Sequence, residues 1–310
     1  MTPQHRAVIM ASFVVLAWAT VATAFKIALS GMSTVLLLLI ASIVTLIISF
    51  IEVIRGGKLK TVFVSLRDKR GVALSMLMGL LNPFLYYLIL FKAYSLLPAQ
   101  IAQPINFSWQ IILILLLAIV MKERLKTITM LGVTVSFVGV ILLSTNNSAS
   151  VDGVLSVTGI VLTIISTFIW ASYWILSLKS KDGPVVGLFK NFFFGTLYLL
   201  IFIAISPESL SFNGVSILSG NVPELKYVIA AVYTGCFEMG ITFILWGKAL
   251  KLATNKAILT QITYLAPVIS LFIIHFILEE KIGLFTVIGL SLIITGLLIS
   301  SIRRSSQISG

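Results

Sequence analysis

Gly79-Leu80-Leu81-Asn82 opens a stretch that this chain uses twice. From there the sequence runs through Phe91-Lys92-Ala93 to Glu123-Arg124, then Gly132 and Gly139. The second copy reads Gly235-Cys236-Phe237-Glu238, Gly247-Lys248-Ala249, Glu280-Lys281, Gly289 and Gly296. In both copies Lys-Ala follows the polar residue by ten positions, and the acid–base pair precedes the two glycines by nine and sixteen. One residue of slippage separates the front and back of the match. Duplication of a whole multi-helix block predicts a two-fold-related architecture, divided as 1–150 and 151–310, with its site at the seam.

Composition says what kind of block is duplicated. Of 310 residues, 59% are hydrophobic and 10% charged, with a mean hydropathy of +1.12. A soluble domain carries about 25% charge. The apolar runs are about 20 residues long, the length of a helix crossing a ~30 Å hydrocarbon core, and lack the alternation of barrel strands. The expectation is an all-α membrane protein of ten spans, near 7–29, 33–54, 71–91, 97–121, 127–145, 156–177, 184–205, 226–247, 254–277 and 283–302. The first run lacks a small-residue cleavage site and reads as a retained helix.

The net charge of +12 points to topology rather than to nucleic acid. Arg6, Arg55, Lys58, Lys60, Arg67, Lys69, Arg70, Lys122, Arg124, Lys126, Lys179, Lys181, Lys248, Lys251, Arg303 and Arg304 all fall on one side if the spans alternate. Lys26, Lys92, Lys226 and Lys281 fall on the other. The positive-inside bias places both termini in the cytoplasm. Five spans per half is an odd number, so the second half enters the membrane inverted, which offers a route to alternating access.

Few residues carry chemistry. Glu238 falls mid-membrane in span 8, where an acid costs about 2.5–3.5 kcal/mol and calls for a partner or an aqueous cavity. It either binds a cationic group or a coupling proton, or it merely ties helices together. Its counterpart is Asn82, followed by Pro83, which lacks an N–H and frees carbonyls in span 3. Tyr86 stands one turn beyond Asn82 on the same span. Gln100, Gln103, Asn106 and Gln110 share one face of span 4, with Pro104 permitting a kink. That face either lines an interior or bonds to neighbouring helices. Span 6 aligns Thr163, Ser166, Trp170, Tyr173 and Ser177; span 9 aligns Lys256, Thr260, Thr263 and Pro267. Trp18, Thr20, Thr23 and Lys26 form a smaller polar set in span 1, where Lys26 either meets substrate or snorkels. His275 reads as a helix-end residue bonded to a neighbour. The spaced glycines of spans 5 and 10 predict close packing, within the chain or between protomers of a homodimer.

Other classes are excluded by what is missing. One Cys and two distant His residues give no metal site, and no phosphate-cradling loop or nucleophile motif occurs. No cofactor is expected, and no enzyme.

Order, spacing and duplication together resemble the EamA-type drug/metabolite transporter superfamily. Trp18 with Lys26, Trp170-Ala171 with Lys179, Met121-Lys122-Glu123-Arg124-Leu125 before Gly132 and Gly139, and Leu278-Glu279-Glu280-Lys281 before Gly289 and Gly296 carry the resemblance over nearly the whole chain. It implies ten helices in an inverted five-plus-five repeat around a central cavity built by spans 1, 3, 4, 6, 8 and 9, with spans 5 and 10 peripheral. It implies a secondary transporter, in most members an exporter of amino acids and related metabolites and in some an importer. The uncleaved first helix and the charge bias fit a bacterial plasma membrane, and the proton that Glu238 could carry is the candidate coupling ion. Trp18, Asn82, Tyr86, Gln103, Asn106, Gln110, Trp170, Tyr173, Glu238 and Thr263 form the expected substrate set. Span 2 departs from the pattern: Ala41-Ser42 stands where many members carry an Arg, so no anion-binding role is carried to it. An exporter of lipophilic cations and a non-transporting membrane partner remain the alternatives.

Overall fold

A computed structural model describes residues 1–122, 125–145 and 155–301. Glu123-Arg124 and Arg303-Arg304 lie outside the described residues, as do the side chains of Lys256 and Thr260. Within them the chain is nearly all helix, and nine helices are long and apolar enough to cross a membrane. They are Pro3–Leu29, Thr34–Arg55, Lys69–Leu96, Ala99–Val120, Thr127–Ser144, Val157–Ser177, Pro184–Ile205, Leu225–Leu252 and Gln261–Leu278. A further apolar helix, Leu284–Ser300, falls below that length. We number these ten apolar helices spans 1–10 in chain order. Their lengths follow from uninterrupted Leu, Ile, Val and Phe runs. Their ends follow from local chemistry, such as Ser33 and Ser156 accepting backbone N–H groups at the starts of spans 2 and 6.

The repeat is written into the backbone irregularities. Span 3 carries a π-helical turn at Leu80–Leu85, and span 8 carries one at Gly235–Gly240. Asn82 leaves helical geometry there (φ −143°, ψ 118°), as the residue before a proline is driven to do, and its bond to Pro83 is cis. Span 4 breaks at Ser108 and span 9 at Tyr264, positions 156 residues apart, like Asn82 and Glu238. The break in span 4 falls four residues beyond Pro104 rather than at it, and the Ser108 hydroxyl donates to the Ile105 carbonyl at 2.6 Å.

The sequence halves are not the packing units. Span 1 packs on spans 8 and 9, and span 6 on spans 3 and 4. Span 2 lies on span 8, and span 7 on span 3. Two four-helix groups result, spans 1, 2, 8 and 9 and spans 3, 4, 6 and 7, each drawing two helices from each half. Glycines allow these contacts. A Cβ on Gly79 would sit 2.6 Å from the Asn191 carbonyl of span 7, and one on Gly235 the same distance from the Ala41 carbonyl of span 2.

Spans 5 and 10 pack on each other beside these groups. Gly132 faces Gly296 and Ser300, whereas Gly139 faces Gly289 and Ile293. Early residues of one helix thus meet late residues of the other, so the pair is antiparallel. These faces are filled within one chain, so they are not the protomer contact that their spacing also allowed.

The connections are short. A helix at Leu59–Ser65 joins spans 2 and 3 on the surface. Spans 7 and 8 are joined through two antiparallel strands, Ser211–Phe212 and Val215–Ser216, and Phe212 packs on Tyr227 and bridges to Met32.

Candidate functional site

Glu238 lies where the two helix groups meet. Its carboxylate accepts a hydrogen bond from the Tyr87 hydroxyl of span 3 at 3.1 Å. Its backbone carbonyl accepts from the Trp18 indole at 3.4 Å and the Thr242 hydroxyl at 2.8 Å. The π-helical turn explains the carbonyl's availability, because widening the helix breaks the regular ladder of backbone bonds. One turn away, the Thr20 and Tyr233 hydroxyls lie 2.6 Å apart. Spans 1, 3 and 8 therefore converge on this acid.

An aromatic column leads away from it. Tyr87, 0% exposed, meets the Tyr86 ring edge-on at 4.7 Å. Tyr86 stacks on Trp170 at 4.5 Å, and Trp170 stacks on Tyr173 at 5.5 Å. Phe243 of span 8 and Trp109 of span 4 also pack on Trp170. Such ring pairs contribute about 0.5–1.5 kcal/mol each beyond the area they bury. Polar groups brace the column from one side: Tyr86 donates to Asn106 Oδ1 at 3.1 Å, and Asn106 Nδ2 donates to Ser166 at 3.0 Å. At the far end the Tyr173 hydroxyl accepts from Asn191 at 3.3 Å. Asn82, 0% exposed, makes no hydrogen bond of ordinary geometry, and its polar neighbour is the Tyr173 hydroxyl.

Of the residues expected from the sequence, Trp18, Asn82, Tyr86, Asn106, Trp170, Tyr173 and Glu238 come together here. Gln103, Gln110 and Thr263 are buried, and the Gln103 carbonyl oxygen lacks a partner. Tyr87 and Asn191 complete the cluster, and the sequence reading passed over both. Tyr87 directly follows a chosen residue, yet adjacent residues point about 100° apart on a helix, so Tyr86 spans toward Asn106 while Tyr87 reaches Glu238. Asn191, an amide inside an otherwise apolar stretch of span 7, was the readable signal there.

At two positions the contacts match the structural alternative that the sequence left open. Lys26 does not face the cluster: its ammonium donates to the Tyr94 and Leu97 carbonyls, both at 3.0 Å, at the end of span 3. Gln100 is tied off as well, accepting from Thr286 at 3.0 Å and donating to the Lys281 carbonyl at 3.1 Å. Beside them the Glu280 carboxylate accepts the Ala99 and Gln100 backbone N–H groups at 2.8 and 3.0 Å, where span 4 begins. An anion at a helix start is stabilised by the free N–H groups and the helix dipole. This end of the molecule is thus latched from one helix group to the other. At the opposite end Lys248–Glu52 (3.2 Å) and Lys190–Asp182 (2.9 Å) each join members of a single group. The His275 ring nitrogen lies 3.0 Å from the Glu280 carbonyl, the helix-end contact expected of it. Among the described residues no three His, Cys, Asp or Glu side chains gather as metal ligands.

Apolar membrane-length helices enclosing a polar and aromatic seam define a multi-pass membrane protein. The family model described as "EamA-like transporter family" matches the chain twice, at residues 5–145 and 157–302, and the chain belongs to that family. An uncharacterized transporter of Clostridium kluyveri is 26% identical over 58% of this chain, and the match spans only 56% of that protein's length. The uncharacterized transporter YvbV of Bacillus subtilis is 25% identical over 98% of this chain and 94% of its own. A solved crystal structure superimposes with a TM-score of 0.66, covering 99% of this chain and all of that one at 19% identity, which speaks for the fold.

Proposed function

We propose that this protein is a secondary transporter that exports amino acids or amino-acid-like metabolites across a bacterial plasma membrane by alternating access. The observation that carries this reading is the Glu238–Tyr87 bond across the seam, an acid held between two helix groups midway along span 8. On this reading Glu238 neutralises a substrate amino group or carries the coupling proton. Asn82, Gln103 and Gln110 offer hydrogen bonds, and Trp18, Trp170 and Tyr173 shape the apolar part. On this reading both termini lie in the cytoplasm, which the positive-inside charge bias supports. The halves are inverted, which the antiparallel Gly132–Gly296 and Gly139–Gly289 contacts support, because equivalent helices of an inverted repeat run in opposite directions. Movement would occur between the two mixed helix groups rather than between the sequence halves. The Lys26–Glu280 latch then belongs to the closed outer end.

A second reading has one observation in its favour. The stacked rings of Tyr86, Trp170 and Tyr173 beside an acid suit a lipophilic cation, since cation–π attraction adds to charge pairing.

Reconstitution in liposomes with labelled amino acids, with and without a pH gradient, tests the proposal. Saturable efflux accelerated by the gradient and lost in Glu238→Gln is the expected result. Efflux of lipophilic cations alone selects the second reading. A well-folded protein moving neither sinks both and leaves a non-transporting membrane partner.

A further inference from the structure

Between span 2, the surface helix Leu59–Ser65 and span 7 lies a cavity of about 200 Å³, and Glu238 is not among the residues that line it. Phe50, Val62, Phe63, Leu66, Phe189 and Phe193 line it. Lys190 also borders it, but this lysine is 2% exposed and its ammonium is held by Asp182 at 2.9 Å, so it presents its apolar stem. The surface helix turns Val62 inward and leaves Phe63 66% exposed. It bears apolar side chains where a soluble helix would be polar, as a helix lying in the membrane interface does.

The flanks of this helix are cationic. Arg55, Lys60, Arg67, Lys69 and Arg70 are exposed, and Lys58 is half-buried. Two acids stand near: Glu52, engaged by Arg55 and Lys248, and Asp68, whose carboxylate accepts the Arg70 backbone N–H at the start of span 3. The excess of cations adjoins both the mouth of an apolar cavity and the ends of two spans. Setting topology requires only that cations lie in this loop, not that they flank, at Lys60 and Arg67, residues that line an apolar space.

We propose that this cavity holds an acyl chain of an anionic phospholipid whose phosphate sits among Lys60, Arg67 and Arg70. Each basic residue near a membrane surface adds to attraction for anionic headgroups, and the phenylalanine walls supply the contact for the chain. A zwitterionic lipid would match the cavity but leave the cations without their complement.

Native mass spectrometry of the full chain, stripped of lipid in detergent and titrated with phosphatidylglycerol or phosphatidylcholine of identical chains, tests this. Phosphatidylglycerol adducts should form at several-fold lower concentration than phosphatidylcholine adducts. The triple variant Lys60→Gln/Arg67→Gln/Arg70→Gln, checked for an unchanged melting temperature, should lose that preference. Dihexanoyl phosphatidylglycerol, with the same headgroup and chains that cover less of the phenylalanine walls, should bind more weakly. Equal binding of the two long-chain lipids, a preference that survives neutralisation, or short-chain binding as tight as long-chain binding would each overturn the proposal.

Discussion

The two π-helical turns occupy the same place in two copies of one fold, yet their polar residues are in opposite circumstances. Glu238 is bonded across the seam to Tyr87, and its carbonyl receives Trp18. Asn82 is sealed beside Pro83 without a well-formed hydrogen bond. The difference extends to the partner: the residue equivalent to Tyr87, 156 positions on, is Phe243, which has no hydroxyl. The scaffold is symmetric and the chemistry is not. Under the proposed alternating access, symmetry serves the exchange of conformations, while one acid on one side gives the site a direction for charge.

The largest effect should come from moving that acid. Glu238→Gln should reduce gradient-driven flux in proteoliposomes to background while leaving the protein folded. The exchange Asn82→Glu/Glu238→Asn should not rescue it, because Phe243 offers the relocated carboxylate nothing. Adding Phe243→Tyr should return measurable flux. Full activity in the exchange variant without that tyrosine would show that the two turns are chemically equivalent after all.

A test of the symmetric part comes next. Gly139→Leu would drive a side chain against the Gly289 carbonyl, since even a Cβ would lie 2.6 Å from it. The loss in stability should exceed the ~1–3 kcal/mol of ordinary overpacking, read by denaturation in detergent. Gly289→Leu should also destabilise, but by less, because its Cβ would meet the movable Leu143 side chain at 2.6 Å and the Gly139 carbonyl only at 3.1 Å.

Tyr87→Phe should act more gently. It removes one interhelical hydrogen bond, of the kind that averages about 0.6 kcal/mol in a membrane, and makes span 3 resemble span 8 at this position. Flux should fall several-fold without vanishing, with an altered pH dependence. The smallest effect is expected of Lys26→Met, which loosens only part of the latch. Labelling of a cysteine introduced at Gln103, in a Cys236→Ser background, should rise modestly from the Lys26 end and stay unchanged from the other.

How much of this was legible depended on the range of the interaction. The spans were readable because membrane burial acts on each segment separately. The duplication was readable because Gly, Lys-Ala and acid–base pairs recur at fixed spacing. The breaks at Ser108 and Tyr264 were not, because neither residue type interrupts a helix by itself. The grouping of spans 1 and 2 with 8 and 9 was also hidden, since nothing local states which distant helix fills a face. The same limit left the readings of Gln100 and Lys26 open: periodicity put Gln100 on a polar face, but the carbonyls and hydroxyl that occupy the two side chains come from other segments. Glu238 was legible because an acid at mid-membrane depth is costly wherever it points.

The antiparallel glycine contact between spans 5 and 10 also has a consequence for biosynthesis. Thr127–Ser144 leaves the ribosome about 140 residues before Leu284–Ser301 follows it. At about 5–20 residues per second, the Gly132–Ser136–Gly139 face would wait in lipid for roughly seven to thirty seconds without its mate. During that interval a second nascent chain could present the same face, so exchange of the last helix between two molecules is the misassembly to which this architecture is most open. A chain interrupted before residue 284 would retain Glu238 and the whole aromatic column while lacking the helix that lets span 5 settle.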